Sequence, residues 1–130
     1  MDATCSALIV DDEEDLRDIL EMIFSRLGVS VQTAANGQLA MDLIKNHHFD
    51  LIVSDIQMPL LDGMGLLAQV RQNKSIHQPK FLFITGGIDF TDEKLNIIST
   101  QTDGILPKPF SPGLIQERLK GLFPEKTFKS

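Results

Sequence analysis

Ala7-Leu8-Ile9-Val10-Asp11-Asp12-Glu13-Glu14-Asp15 decides the fold. Four apolar, partly β-branched residues run straight into five consecutive acids. An apolar run of that length with no polar alternation reads as a strand buried on both faces, as the strands of a parallel sheet are. Beyond the acids, Leu16, Ile19, Leu20, Ile23 and Leu27 recur at helical spacing, and Gly28 is placed as a C′ stop. Taken alone, the acids are a solvated helix start, because carboxylates favour a helix N-terminus.

The alternation continues down the chain. Val29 to Ala34 reads as a second, weaker strand, and Asn36-Gly37 opens a helix with Leu39, Ala40, Leu43 and Ile44 on one face. Leu51-Ile52-Val53 is a third strand running into Ser54-Asp55. The loop after it contains Met58-Pro59 and Asp62-Gly63, where Gly63 is expected to supply a backbone conformation other residues resist. Leu66, Leu67 and Val70 mark a third helix. Phe81-Leu82-Phe83-Ile84 is a fourth strand ending at Thr85-Gly86-Gly87. Asp92 and Glu93 sit in the first turn of a fourth helix carrying Leu95, Ile97 and Ile98. Ile105-Leu106 is a short fifth strand, stopped by Pro107-Lys108-Pro109. Ser111-Pro112 is an N-cap and N1 pair for a last helix with Ile115, Leu119 and Leu122. Five strands alternating with five helices predict an α/β fold, a doubly wound parallel sheet with helices on both faces. One domain is expected over 1–124, with 125–130 a tail or the start of a linker.

Composition narrows the function. The chain has 130 residues, of which 42% are apolar, enough for a core. No apolar run approaches the roughly 20 residues that span a bilayer, and the first residues lack a signal-peptide pattern. The net charge of −6 disfavours direct nucleic-acid binding, which needs a basic face. The single cysteine, Cys5, forbids an internal disulfide and fits a cytoplasmic protein. It reads as a small residue at the start of the first strand. His47, His48 and His77 are scattered near helix ends and loops, and metal binding by them is not expected, because no second ligand pair has zinc spacing.

In a doubly wound sheet, ligands sit beyond the carboxyl ends of the strands, where the strand order reverses. The residues just after the strands are Asp11 and Asp12, Asp55, Thr85 and Lys108. Three carboxylates, a hydroxyl and an ammonium therefore converge on one edge. Carboxylates packed together repel unless a cation joins them, and hard oxygen ligands with room for water suit Mg²⁺. A carboxylate is a competent phosphoryl acceptor, and a cation, a lysine and a hydroxyl are the partners phosphoryl oxygens need. Glu13, Glu14 and Asp15 stay with the helix-start reading.

Leu8-Ile9-Val10-Asp11-Asp12-Glu13, Asp55-Ile56-Gln57-Met58-Pro59 with Asp62-Gly63, Thr85-Gly86 and Lys108-Pro109-Phe110 resemble, in order and spacing, the receiver family of bacterial two-component signalling. The resemblance covers about residues 6–123. It implies a flavodoxin-like strand order of 2-1-3-4-5. It also implies Asp55 as phosphoacceptor, Asp12 as direct Mg²⁺ ligand, Asp11 as ligand through water, and the Gln57 carbonyl as the third protein ligand. Thr85 resembles the switch hydroxyl, Lys108 the lysine that pairs with phosphoryl oxygens, and Lys108-Pro109 the family's cis peptide. Gln57 and Gly87 stand where the family tunes the lifetime of the acyl phosphate. Where the family often has Tyr or Phe, three residues before the lysine, this chain has Ile105, so its aromatic readout is missing.

The implied function is a signalling switch. A histidine kinase or a histidine phosphotransfer protein donates to Asp55, and the changed conformation acts on an output partner or effector domain. Such a domain is not a turnover enzyme; it assists only its own phosphorylation and dephosphorylation. Two rivals stand beside this. A haloacid-dehalogenase-like phosphatase would need an acid two residues after the nucleophile, where this chain has Gln57. A phosphorylation-independent module of the same fold would have no need of the five polar groups.

Overall fold

The computed structural model describes residues 5–58, 60–85, 91–108 and 111–129. Strands β1 (Ser6–Val10), β2 (Ser30–Ala34), β3 (Leu51–Asp55), β4 (Lys80–Thr85) and β5 (Ile105–Pro107) alternate with helices α1 (Glu14–Arg26), α2 (Gly37–Asn46), α3 (Gly63–Gln72), α4 (Asp92–Gln101) and α5 (Pro112–Leu122). The strands form one parallel sheet in the order β2-β1-β3-β4-β5. The doubly wound architecture read from the sequence and the 2-1-3-4-5 order implied by the resemblance are therefore present.

Strand alternation divides the core in two. Ala7, Ile9, Leu51, Val53, Leu82 and Ile84 point to one face and meet Leu20, Ile23 and Phe24 of α1 and Ile115 and Leu119 of α5. Leu8, Val10, Ile52, Phe81 and Phe83 point to the other and meet α2, α3 and Ile98 of α4. Both sets of strand residues are at most 1% exposed, which is why the strands are continuous apolar runs. β2 is the exception. It is an edge strand, and its exposed Ser30 and Gln32 give it the weaker sequence signal.

Local chemistry sets the element boundaries. Asn36, Asp62, Thr91 and Ser111 each accept a hydrogen bond from the backbone N–H three residues on, at 2.8–3.2 Å, and so cap α2 to α5. At the end of α1, Gly28 has φ +89. Its N–H donates to the Ser25 carbonyl, and that of Val29 to the Phe24 carbonyl, closing a Schellman motif. Val29 thus belongs to the cap, and β2 starts one residue later than its sequence suggests.

Three leucine or isoleucine positions assigned by spacing to helix inner faces lie instead on the shoulders of the buried stripes. Ile19, Leu39 and Leu95 are 46%, 48% and 46% exposed. The segment 125–129 folds back on the domain. Phe128 joins the core beneath α1 and α5, and the Lys129 N–H donates to the Leu27 carbonyl at 2.8 Å. Cys5 is 2% exposed, and burial, with the charge of Asp50 adding to it, pushes its thiol up to about 12. No helix among the described residues is long and apolar enough to cross a membrane.

Candidate functional site

The strand order reverses between β1 and β3, and the chain emerging there is acidic. Asp11 follows β1 directly and Asp55 is the last residue of β3. One carboxylate oxygen from each of Asp11, Asp12 and Asp55 lies within 4.8 Å of the other two. The three differ in burial: Asp11 is fully enclosed, Asp55 partly covered and Asp12 exposed.

Main-chain contacts hold this group in place. The Asp11 N–H donates to the Ala34 carbonyl at 3.1 Å, continuing the β1–β2 ladder past its last pair. The Arg17 guanidinium, one turn into α1, donates to the Asp11 carbonyl at 2.8 Å. The Glu13 N–H donates to Asp11 Oδ1 at 2.8 Å. Asp11 Oδ2 is buried and has no hydrogen-bond partner among the described residues. In β3, the Ser54 hydroxyl donates to the Asp55 carbonyl at 2.8 Å, and the Gln57 N–H makes a longer 3.4 Å contact with Asp55 Oδ1.

Gly63 sets how closely the next loop approaches. A Cβ there would strike the Asp55 carbonyl oxygen and lie 2.8 Å from Ile56 Cα and 2.9 Å from the Phe83 ring. Its φ is not among the positive ones. The glycine is needed for space, not for the unusual conformation its sequence context suggests.

The electrostatics follow from this crowding. Burial is the main cause that pushes the Asp11 carboxyl up to about 6; the Glu13 N–H opposes the shift and the Asp55 charge adds to it. Asp55 is also raised, chiefly by burial, against the pull of the Lys108 ammonium. Lys108 therefore acts on both acids. Its own N–H donates to the Thr85 carbonyl at 2.8 Å, joining the ends of β4 and β5. Thr85 is 6% exposed at the end of β4, the strand beside β3. Ile105, the first residue of β5, is half-buried against the cluster containing Ile98. Pro59, Gly86, Gly87, Pro109 and Phe110 lie outside the described residues, and with them the expected cis peptide.

All five residues picked out by strand-end position therefore stand along one edge. Arg17 and Ser54 were not picked out. Arg17 acts on a carbonyl from within a helix, and Ser54 precedes the acid inside the strand, so neither carries a positional signal. An all-oxygen set with an unsatisfied buried carboxylate oxygen fits a hard divalent cation.

A parallel doubly wound sheet of order β2-β1-β3-β4-β5 with an acidic pocket at its switch point defines a flavodoxin-like class of domain, whose ligands sit beyond the strand ends. Comparison with known proteins fixes the family. The response regulator receiver domain model matches residues 7–120, and the chain belongs to that family. The acidic trio is typical of that family's Mg²⁺-binding site. The chain is 36% identical over 115 residues to the "Probable transcriptional regulator ycf27" of Cyanidium caldarium, covering 88% of this chain and 45% of that protein. It is 34% identical over 115 residues to the alkaline phosphatase synthesis transcriptional regulatory protein PhoP of Bacillus subtilis, covering 88% and 47%. The chain thus spans under half the length of these curated relatives. Among solved structures, Vibrio cholerae chemotaxis protein CheY4 superposes with a TM-score of 0.82 at 27% identity, covering 92% of this chain and 98% of that one. The Francisella response regulator 1452 receiver domain gives 0.80 at 28% identity, covering 94% and 98%.

Proposed function

We propose that Asp55 is the phosphoacceptor of a two-component switch, with a histidine kinase or a histidine phosphotransfer protein as donor. The observation that carries this reading is the convergence of the Asp11, Asp12 and Asp55 carboxylates at the switch point, with Lys108 acting on Asp11 and Asp55. An Asp55 carboxylate oxygen attacks phosphorus, the P–N bond to the donor imidazole breaks, and the imidazole leaves with the electron pair and takes up a proton. Asp11, Asp12, Asp55 and the Gln57 carbonyl are the groups that would hold Mg²⁺. The ion, when bound, neutralises charge on the phosphoryl oxygens. Lys108 offsets the remaining negative charge, and the Thr85 hydroxyl turns toward the phosphoryl group.

The acyl phosphate then biases the domain between two conformations that an effector tells apart. Two relatives are transcriptional regulators by name, which supports an effector, attached or separate, as the output. The domain is not a turnover enzyme, and its place is the cytoplasm.

Incubation with acetyl phosphate and Mg²⁺ should add one hydroxylamine-labile phosphoryl group, and Asp55→Ala should abolish it. Unchanged labelling of that variant would overturn the assignment. Repeated release of phosphate from small phosphoesters would favour a phosphatase instead.

A further inference from the structure

At the end of the sheet opposite the acidic pocket, His48, Asp50 and His77 come together from two loops. His48 and Asp50 lie between α2 and β3, and His77 lies between α3 and β4. Each offers a ligand atom, and these atoms lie within 4.8 Å of one another. The two imidazole rings have centroids 4.1 Å apart, with planes tilted by 31°. We propose that His48, Asp50 and His77 form a binding site for one zinc ion, independent of the phosphorylation chemistry.

Three features support a site over a chance meeting of exposed side chains. First, Asp50 is anchored. Its Oδ2 accepts from the Ser6 N–H at 2.9 Å, its own N–H donates to the Ser6 carbonyl at 2.8 Å, and its carbonyl accepts from the Lys80 N–H at 2.9 Å. A carboxylate oriented by an outer hydrogen bond is the usual form of a metal ligand. Second, both histidine-bearing loops are tied down. The Ser6 hydroxyl donates to the His48 carbonyl at 3.3 Å. The residues after His77 are held by the Arg71 guanidinium, which donates to Gln78 Oε1 and the Pro79 carbonyl, and by the Gln78 amide, which donates to the Val70 carbonyl. Third, the donor set is selective. Two imidazoles and one carboxylate suit Zn²⁺ with water as a fourth ligand, whereas Mg²⁺ and Ca²⁺ prefer oxygen alone.

Tetrahedral zinc with bonds of about 2.0–2.1 Å holds its ligand atoms roughly 3.4 Å apart. His48 and His77 are exposed, so their side chains have room to change rotamer, and binding requires the stacked rings to part and turn their nitrogens to the ion. The Lys126 ammonium, 3.8 Å from Asp50 Oδ2, is the cation already drawn to this carboxylate. A divalent ion with two further ligands competes well against it. Sequence spacing hides the site, since its histidines are brought together by adjacent strands and not by one helix or turn.

Calorimetric titration with Zn²⁺ tests this in the wild type and in His48→Asn, His77→Asn, His47→Asn and Asp55→Asn variants, with thermal midpoints measured with and without the ion. One equivalent should bind the wild type and raise its midpoint, since a ligand of the folded state stabilises it. His48→Asn and His77→Asn should each weaken binding roughly tenfold or more, because they delete a direct ligand. Their midpoints without zinc should match the wild type, both side chains being exposed. His47→Asn and Asp55→Asn should bind as the wild type does. Absence of binding to the wild type would overturn the proposal. So would undiminished binding to the two histidine variants, or loss of the bound ion on Asp55→Asn, which would place zinc among the acids of the other site.

Discussion

Full enclosure and a neighbouring negative charge act in the same direction on Asp11. Its carboxyl rises from an ordinary 3.8 to about 6, so the folded state holds that proton more tightly than the unfolded chain does. Stability from this group is therefore present below pH 4, falls as pH rises toward 6, and stays lower above it. The difference corresponds to roughly 3 kcal/mol of opposition to the ionised form. Asp11→Asn removes the charge, keeps an acceptor for the Glu13 N–H and places a donor where Oδ2 was unpartnered. Without added cation, the variant should melt several degrees above the wild type at neutral pH, and the gap should shrink on acidification toward pH 4. Added Mg²⁺ should raise the wild type more than the variant. A variant that melts at or below the wild type at neutral pH would show that the ionised Asp11 carries no such penalty. Asp11, Asp55 and Lys108 could be picked from the sequence because strand ends are countable. The unequal burial of Asp11 and Asp12 could not, because adjacent residues in a turn give no sign of which one the fold encloses.

Elements were readable where one residue type does one job. Ser111-Pro112 and Asn36-Gly37 mark helix starts, and both caps are made. Gly63 was readable as a required glycine but not for its reason, since a turn and a close approach look alike in sequence. Because the two nearest atoms a Cβ would meet at 63 are backbone and the third belongs to the fully buried Phe83 ring, they yield poorly. Gly63→Ala should cost about 1–3 kcal/mol in chemical denaturation, as overpacking does, and should displace Asp55. A variant of unchanged stability would mean that the loop has room. The segment 125–129 is the other case. One Phe among charged residues carries no periodicity, yet Phe128 is 9% exposed and packs with Leu27 and Phe123 in one cluster. Phe128→Ala should lower stability by about 3–5 kcal/mol. Equal denaturation midpoints would show that the Phe128 ring does not hold this segment, which then rests on its other contacts, such as the Lys126–Asp50 pair and the Lys129 N–H bond.

At the scale of the whole molecule, the proposed phosphorylation of Asp55 signals only by a change that reaches a surface. Thr85 closes β4, and α4 follows after 86–90. That helix is shallowly held: Ile98 is its one buried residue, and Leu95 is 46% exposed. Leu95, Ile98 and Ile105 line one groove between α4 and β5. In an aromatic version of this switch, a ring would fill the space a moving threonine vacates. Ile105 is β-branched and stiff about χ1, and it is too small to exchange positions in that way. Its half-buried packing against the Ile98 cluster is therefore expected to persist in both states, while α4 shifts at its N-terminal end. NMR with a beryllofluoride mimic of the phosphoryl group should show shifts at Thr85 that extend to Leu95 and Ile98, with the χ1 of Ile105 unchanged. Thr85→Ala should still bind the mimic but lose the α4 shifts, because the hydroxyl proposed to couple the strand end to the phosphoryl oxygens is gone. If that variant transmits the same shifts, the signal leaves the site by another path. If Ile105 changes rotamer on binding, the β5 side chain takes part in the switch despite its stiffness.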